Sequence, residues 1–156
     1  MKVYRLCKVG YAKDLTGKGA EKVGGRWNST GIPMVYTGES RALCTAEIAV
    51  HTPLGNLPSH YVLVSIEIPG EIPVGELSQN ELPTDWKTFP HSHSTQEIGD
   101  RFIKESLFAV FKVPSAVVQG EFNYLLNPGH PDSSRIKILA TEPFDFDERL
   151  FMRKDQ

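Results

Sequence analysis

The chain has no long hydrophobic run, no cysteine framework and almost no net charge, and each absence removes a class of protein. Its apolar stretches end far short of the roughly 20 residues that cross a bilayer, and the opening MKVYRLCKVG carries no apolar segment or small-residue cleavage pattern. No membrane association is expected, and the cytoplasm is the expected compartment. The two cysteines, Cys7 in a predicted strand and Cys44 in a predicted helix, form no C-x-x-C pair, which suits a reducing environment. With 17 basic and 19 acidic side chains and a net charge of −2, the chain has no overall field that draws it to nucleic acid. An anionic ligand must be met by a local site. Phosphate-loop and dinucleotide-fold glycine patterns are missing as well: Gly24-Gly25-Arg26 fits neither. His91 and His93 make an H-x-H pair, but in a predicted loop without a cysteine or acidic third ligand at a metal-site spacing, so no metal is expected.

What is present fits one domain over residues 1–156. A chain of this length, 40% apolar and 10% aromatic, buries roughly 70% of its unfolded surface. Alternation predicts a first strand over residues 3–9, a short one at 34–37 and a clear one at 61–68, the last belonging to a sheet covered on one side. Between the first two lies a glycine-rich loop, residues 16–31, whose backbone can approach a ligand closely. Ser40 is a helix N-cap, and a helix over residues 41–51 is expected to be buried on most sides. Residues 69–94 read as a long irregular connection. Ser94 and Glu97 then form a capping-box pattern that opens a helix to residue 105. Strands follow at 107–113 and 136–141, with extended structure at 116–119 and a turn cluster at 127–131. The sum is an α+β domain with a mixed, mostly antiparallel sheet and short helices.

Three places invite chemistry. Arg26 in its glycine loop is either a solvated surface side chain or a charged planar fork for a phosphate or carboxylate. Glu47 shares a helix face with Leu43 and Val50; it is either a paired structural carboxylate or a catalytic one. Ser115 lacks the G-x-S-x-G context of a hydrolase nucleophile and either binds a ligand or caps a strand end. Trp27 and Tyr36 read, by default, as core or rim aromatics.

Taken in order, Gly24-Gly25-Arg26-Trp27-Asn28, Val35 through Ser40, Ala46-Glu47-Ile48-Ala49-Val50-His51, Leu82-Pro83-Thr84-Asp85-Trp86, Thr95 through Asp100, Val113-Pro114-Ser115-Ala116-Val117 and Asn123 through Pro131 resemble the RES-domain family over nearly the whole chain. The Arg, Glu and Ser that name the family fall on Arg26, Glu47 and Ser115. The resemblance implies a fold similar to ADP-ribosyltransferase toxins. It also implies a toxin neutralised by an antitoxin with an Xre-type helix-turn-helix domain, self-association within that complex, and NAD as substrate. It gives Arg26, Glu47 and Ser115 catalytic roles. Gly25, Trp27, Tyr36 and Asn127 are then expected to bind substrate.

Overall fold

The structure is a computed structural model that describes residues 1–153. Seven strands form one sheet: β1 (Lys2–Lys8), β2 (Val35–Gly38), β3 (Tyr61–Glu67), β4 (Val74–Glu76), β5 (Val110–Pro114), β6 (Phe122–Leu126) and β7 (Lys137–Phe144). Their order is β4-β5-β6-β2-β1-β3-β7. Every neighbouring pair is antiparallel except β4 with β5, so the sheet is mixed and mostly antiparallel, as expected. Among the described residues three α-helices complete the fold: α1 (Lys18–Val23), α2 (Arg41–His51) and α3 (His93–Glu105). Among the described residues no helix is long and apolar enough to cross a membrane.

Strand register sorts the side chains onto two faces. Val3, Val35, Val62, Val64, Ile66, Val110 and Leu126 share one face and one continuous apolar cluster. The opposite face is divided. Leu6 and Leu63 pack with Cys44 of α2 and with Phe146 and Phe151, whereas Leu125 and Val113 pack with Phe102 of α3, Trp27 and Met34. Leu63 is as fully buried as Val64. The expectation that this strand is covered on one side is therefore corrected: α2 and the chain's last described turn cover the second face.

Helix α2 has the predicted bounds, and the Ser40 hydroxyl accepts the Leu43 N–H at 3.0 Å. Its expected burial on most sides does not hold. Only Leu43 and Cys44 are buried, and Val50 is 61% exposed, because the rest of the helix borders a cavity. The glycine-rich stretch is not all loop: α1 forms inside it between Gly17 and Gly24, which take φ of 73° and 72°. The connection at 69–94 contributes the edge strand β4. Helix α3 starts one residue before Ser94, with Ser92 as its N-cap. The Ser94 hydroxyl donates instead to Asp85 at 2.6 Å, which displaces the expected capping box. Strand β5 begins at Val110, leaving Leu107 71% exposed. Residues 116–119 form bends and a turn rather than extended structure. Cys44 is buried, while Cys7 is only partly so.

Candidate active site

Tyr36 of β2 pairs with Leu125 of β6, and Gly38 pairs with Asn123. Alternate strand positions share a face, so Tyr36 and Asn123 rise together from the divided face, in the gap between the α2 cluster and the α3 cluster. A cavity of about 760 Å³ opens there, in the size range of small-molecule sites. A second one of about 310 Å³ adjoins it, and Tyr36 and Glu47 border both.

Glu47 reaches the gap from α2. Asn123 Nδ2 donates to its Oε1 at 2.7 Å and to the Thr37 carbonyl at 3.1 Å. Burial raises the carboxyl above the usual glutamate range; the Asn123 bond opposes this, and nearby Glu121 adds to it. The carboxylate is thus held in one place at some electrostatic cost.

The loop that carries Gly25, Arg26 and Trp27 is anchored from three sides. Asn28 is fully buried, and its Nδ2 donates to the carbonyls of Ala20 and Ile32, each at 2.9 Å. The Tyr36 hydroxyl donates to Asn28 Oδ1 at 2.6 Å and accepts the Trp27 N–H at 3.0 Å. Burial drives this phenol far above its ordinary range. From α3, Gln96 donates to the Gly25 carbonyl at 3.0 Å, and Asp100 accepts from the Ser29 N–H and hydroxyl at 2.8 and 2.6 Å. Gly99 lets the helix backbone touch the loop, since a Cβ there would stand 1.6 Å from the Trp27 carbonyl oxygen. Likewise, a Cβ on Gly25 would stand 2.7 Å from the Tyr36 hydroxyl.

Arg26 Nη1 donates to the carbonyls of Trp86 and Thr88 at 2.7 and 3.0 Å, tying the proline-rich connection to the loop. Among the described residues its Nε and Nη2 make no protein hydrogen bond, so the charged fork keeps donors for an anion. Burial lowers its pKa, but a guanidinium stays charged in a protein.

Gly25, Arg26, Trp27, Tyr36 and Glu47, all singled out in the sequence, line the larger cavity. Ser115 does not. Its hydroxyl accepts the N–H groups of Val117 and Val118 at 3.0 and 2.9 Å, shaping the turn whose Ala116 and Val117 line the cavity. Asn127 also lies outside the lining; it donates to Ser106 at 3.2 Å and accepts the Gly129 N–H at 3.0 Å. Asn28, His51 and Asn123 were not among the expected site residues, and His91 was weighed only as a metal ligand; His51, His91 and Asn123 line the cavity. Asn123 left a trace, an amide inside the apolar run Phe122–Leu126. So did His51, four residues after Glu47 and hence on its helix face.

The RES domain family model matches residues 2–147. The chain belongs to the RES-domain family. This RES domain is 36% identical over 144 residues to a Prs ADP-ribosylating toxin of Sphingobium sp. (strain YBL2), covering 91% of this chain and 89% of that protein. It is 36% identical over 156 residues to Toxin Res of Photorhabdus laumondii, covering 99% of each chain. A third relative, Toxin Res of Pseudomonas putida, is 34% identical and covers 94% of this chain and 99% of its own. Among solved structures, a chain of the M. tuberculosis MbcT–MbcA toxin–antitoxin complex has the same fold. It superposes with a TM-score of 0.71 at 20% identity, over 96% of this chain and 86% of that one.

Proposed function

We propose that this RES domain is the toxin of a toxin–antitoxin pair and consumes NAD by breaking its nicotinamide–ribose bond. The observation that carries the reading is the Glu47 carboxylate, partly buried at the cavity and clamped by Asn123, with Tyr36 and Arg26 on the same lining. The names of the relatives and the toxin–antitoxin complex that shares the fold support it. The antitoxin partner is expected to carry an Xre-type helix-turn-helix domain, and the complex to hold more than one toxin copy, in the cytoplasm.

In NAD the bond from C1′ to the nicotinamide nitrogen joins a sugar to a cationic ring. As it breaks, the electron pair moves to the ring nitrogen and neutralises it, and positive charge develops on the sugar. A fixed carboxylate stabilises that charge without having to reorganise. Glu47 also accepts hydrogen bonds from ribose hydroxyls, Arg26 offers its free donors to the dinucleotide's anionic part, and Tyr36 supplies a ring face. An acceptor oxygen then bonds to C1′ and gives its proton to solvent. Water or phosphate as acceptor gives hydrolysis or phosphorolysis. A protein side chain gives ADP-ribose transfer, a second reading favoured by the Sphingobium relative's name.

Chromatography of nicotinamide tests this. Wild type is expected to release it, while Glu47→Gln and Arg26→Ala retain their fold and lose most release. Undiminished release from Glu47→Gln overturns the catalytic reading, and no release from wild type with water, phosphate or lysate proteins present leaves a binding module instead. Added phosphate separates hydrolysis from phosphorolysis, and labelled NAD in lysate reveals transfer.

A further inference from the structure

Three groups able to carry positive charge meet on the cavity lining from three parts of the chain: Arg26 from the glycine loop, His51 from the last residue of α2, and His91 from the connection before α3. The Phe89 ring lies between the two imidazoles, with centroids 6.1 Å from His51 and 5.4 Å from His91. Among the described residues, Glu47 is the only carboxylate lining this cavity. It sits one helical turn before His51, about 6 Å along the axis. No other described residue on the lining balances the cationic corner.

We propose that Arg26, His51 and His91 form a pocket for a phosphoryl oxyanion, either the diphosphate bridge of a dinucleotide or a free phosphate. His91 Nδ1 is buried with no hydrogen-bond partner among the described residues. Buried polar atoms in folded proteins nearly always have one, and a turn of the ring toward the cavity it lines lets an anionic oxygen supply it. Arg26 contributes Nε and Nη2, which bond to no described residue. The carbonyl end of α2 favours the protonated form of His51. In the free protein both imidazoles are held below the ordinary histidine range, first by burial and then by the charge of Arg26, and His91 also by His51. A bound anion reverses that balance. The spacing also fits a nucleotide, where a sugar at Glu47 carries its phosphate to the next turn of the helix.

This deepens the NAD reading and rests on it, but the test needs no turnover. Wild type is titrated with sodium pyrophosphate and, separately, with orthophosphate, by calorimetry and by the imidazole resonances of His51 and His91. Saturable binding that moves both resonances toward their protonated positions is expected. His51→Ala and His91→Ala should each weaken pyrophosphate binding about tenfold, the loss of one charge-assisted hydrogen bond, and His91→Lys should restore most of it. Tighter binding of pyrophosphate assigns the pocket to a diphosphate bridge; tighter binding of orthophosphate assigns it to a free phosphate acceptor. Absence of binding with unmoved resonances in wild type, or alanine variants that bind as wild type does, overturns the proposal. Pyrophosphate binding by a wild type that never releases nicotinamide would refute the NAD reading and leave this pocket standing.

Discussion

Asn123 Nδ2 donates to Glu47 Oε1 at 2.7 Å while also holding the Thr37 carbonyl of the neighbouring strand. The carboxylate's position is therefore set by the central strand pair as much as by its own helix. The same bond is the main counterweight to burial, which otherwise pushes the carboxyl up.

Nicotinamide release should fall on acidification, because Glu47 loses its charge when protonated. With its pKa raised, the midpoint should lie above about 4.3, the ordinary glutamate value. Asn123→Asp replaces the donor with a second carboxylate and should move that midpoint further up. A pH–rate profile checks this; an unmoved acid limb would remove Asn123 from control of Glu47.

Glu47→Gln should lower release by about 10²–10³-fold and at the same time raise thermal stability at neutral pH. The raised pKa means that, between the unfolded and folded values, the folded state binds more protons, so stability falls as pH rises through that window. Glutamine carries no such charge. Melting temperatures of the two proteins should differ at pH 7 and converge below the ordinary glutamate pKa.

Tyr36→Phe removes the hydroxyl that accepts the Trp27 N–H and donates to Asn28. Leaving those buried groups unmet should cost about 1–3 kcal/mol of stability. Because Tyr36 and the loop line the cavity together, KM for NAD should rise as well. Denaturant melts and steady-state kinetics check both parts.

Gly99→Ala places a methyl 1.6 Å from the Trp27 carbonyl oxygen, a backbone atom that cannot rotate away. Helix α3 must then separate from the loop, at about 1–3 kcal/mol or more, and the Gln96 and Asp100 bonds to that loop should weaken with it. Faster amide exchange at Ser29, whose N–H donates to Asp100, is the expected sign. Unchanged exchange and stability would show that the two surfaces tolerate a wider gap.

Much of the scaffold was readable because its signals are local. Ser40 and the apolar spacing after it set α2, and the alternation of residues 61–68 set β3. Helix α1 was hidden because glycines at both of its ends look like loop. Strand β4 was hidden because it has three residues and exists only through its pairing with β5. The exposure of α2 depended on a cavity that no local pattern encodes. Five of the singled-out residues do meet at one site, but the separate jobs of Ser115 and Asn127 are visible only from their partners. His91 showed in sequence only as half of an H-x-H pair, since nothing but the path of the connection before α3 brings it to the cavity that Arg26 lines.

The bonds that build the cavity join distant parts of the chain: Arg26 to Trp86 across 60 positions, Ser29 to Asp100 across 71, and Glu47 to Asn123 across 76. A ribosome adds residues in order, so a nascent chain has Arg26, Tyr36 and Glu47 long before it has the amide that clamps the carboxylate. Until β6 emerges and pairs with β2, no arrangement of the earlier residues reproduces the clamped carboxylate. For a protein whose activity would harm the cell that makes it, synthesis itself then sets a delay, and truncated products carry the sequence of the site without its geometry.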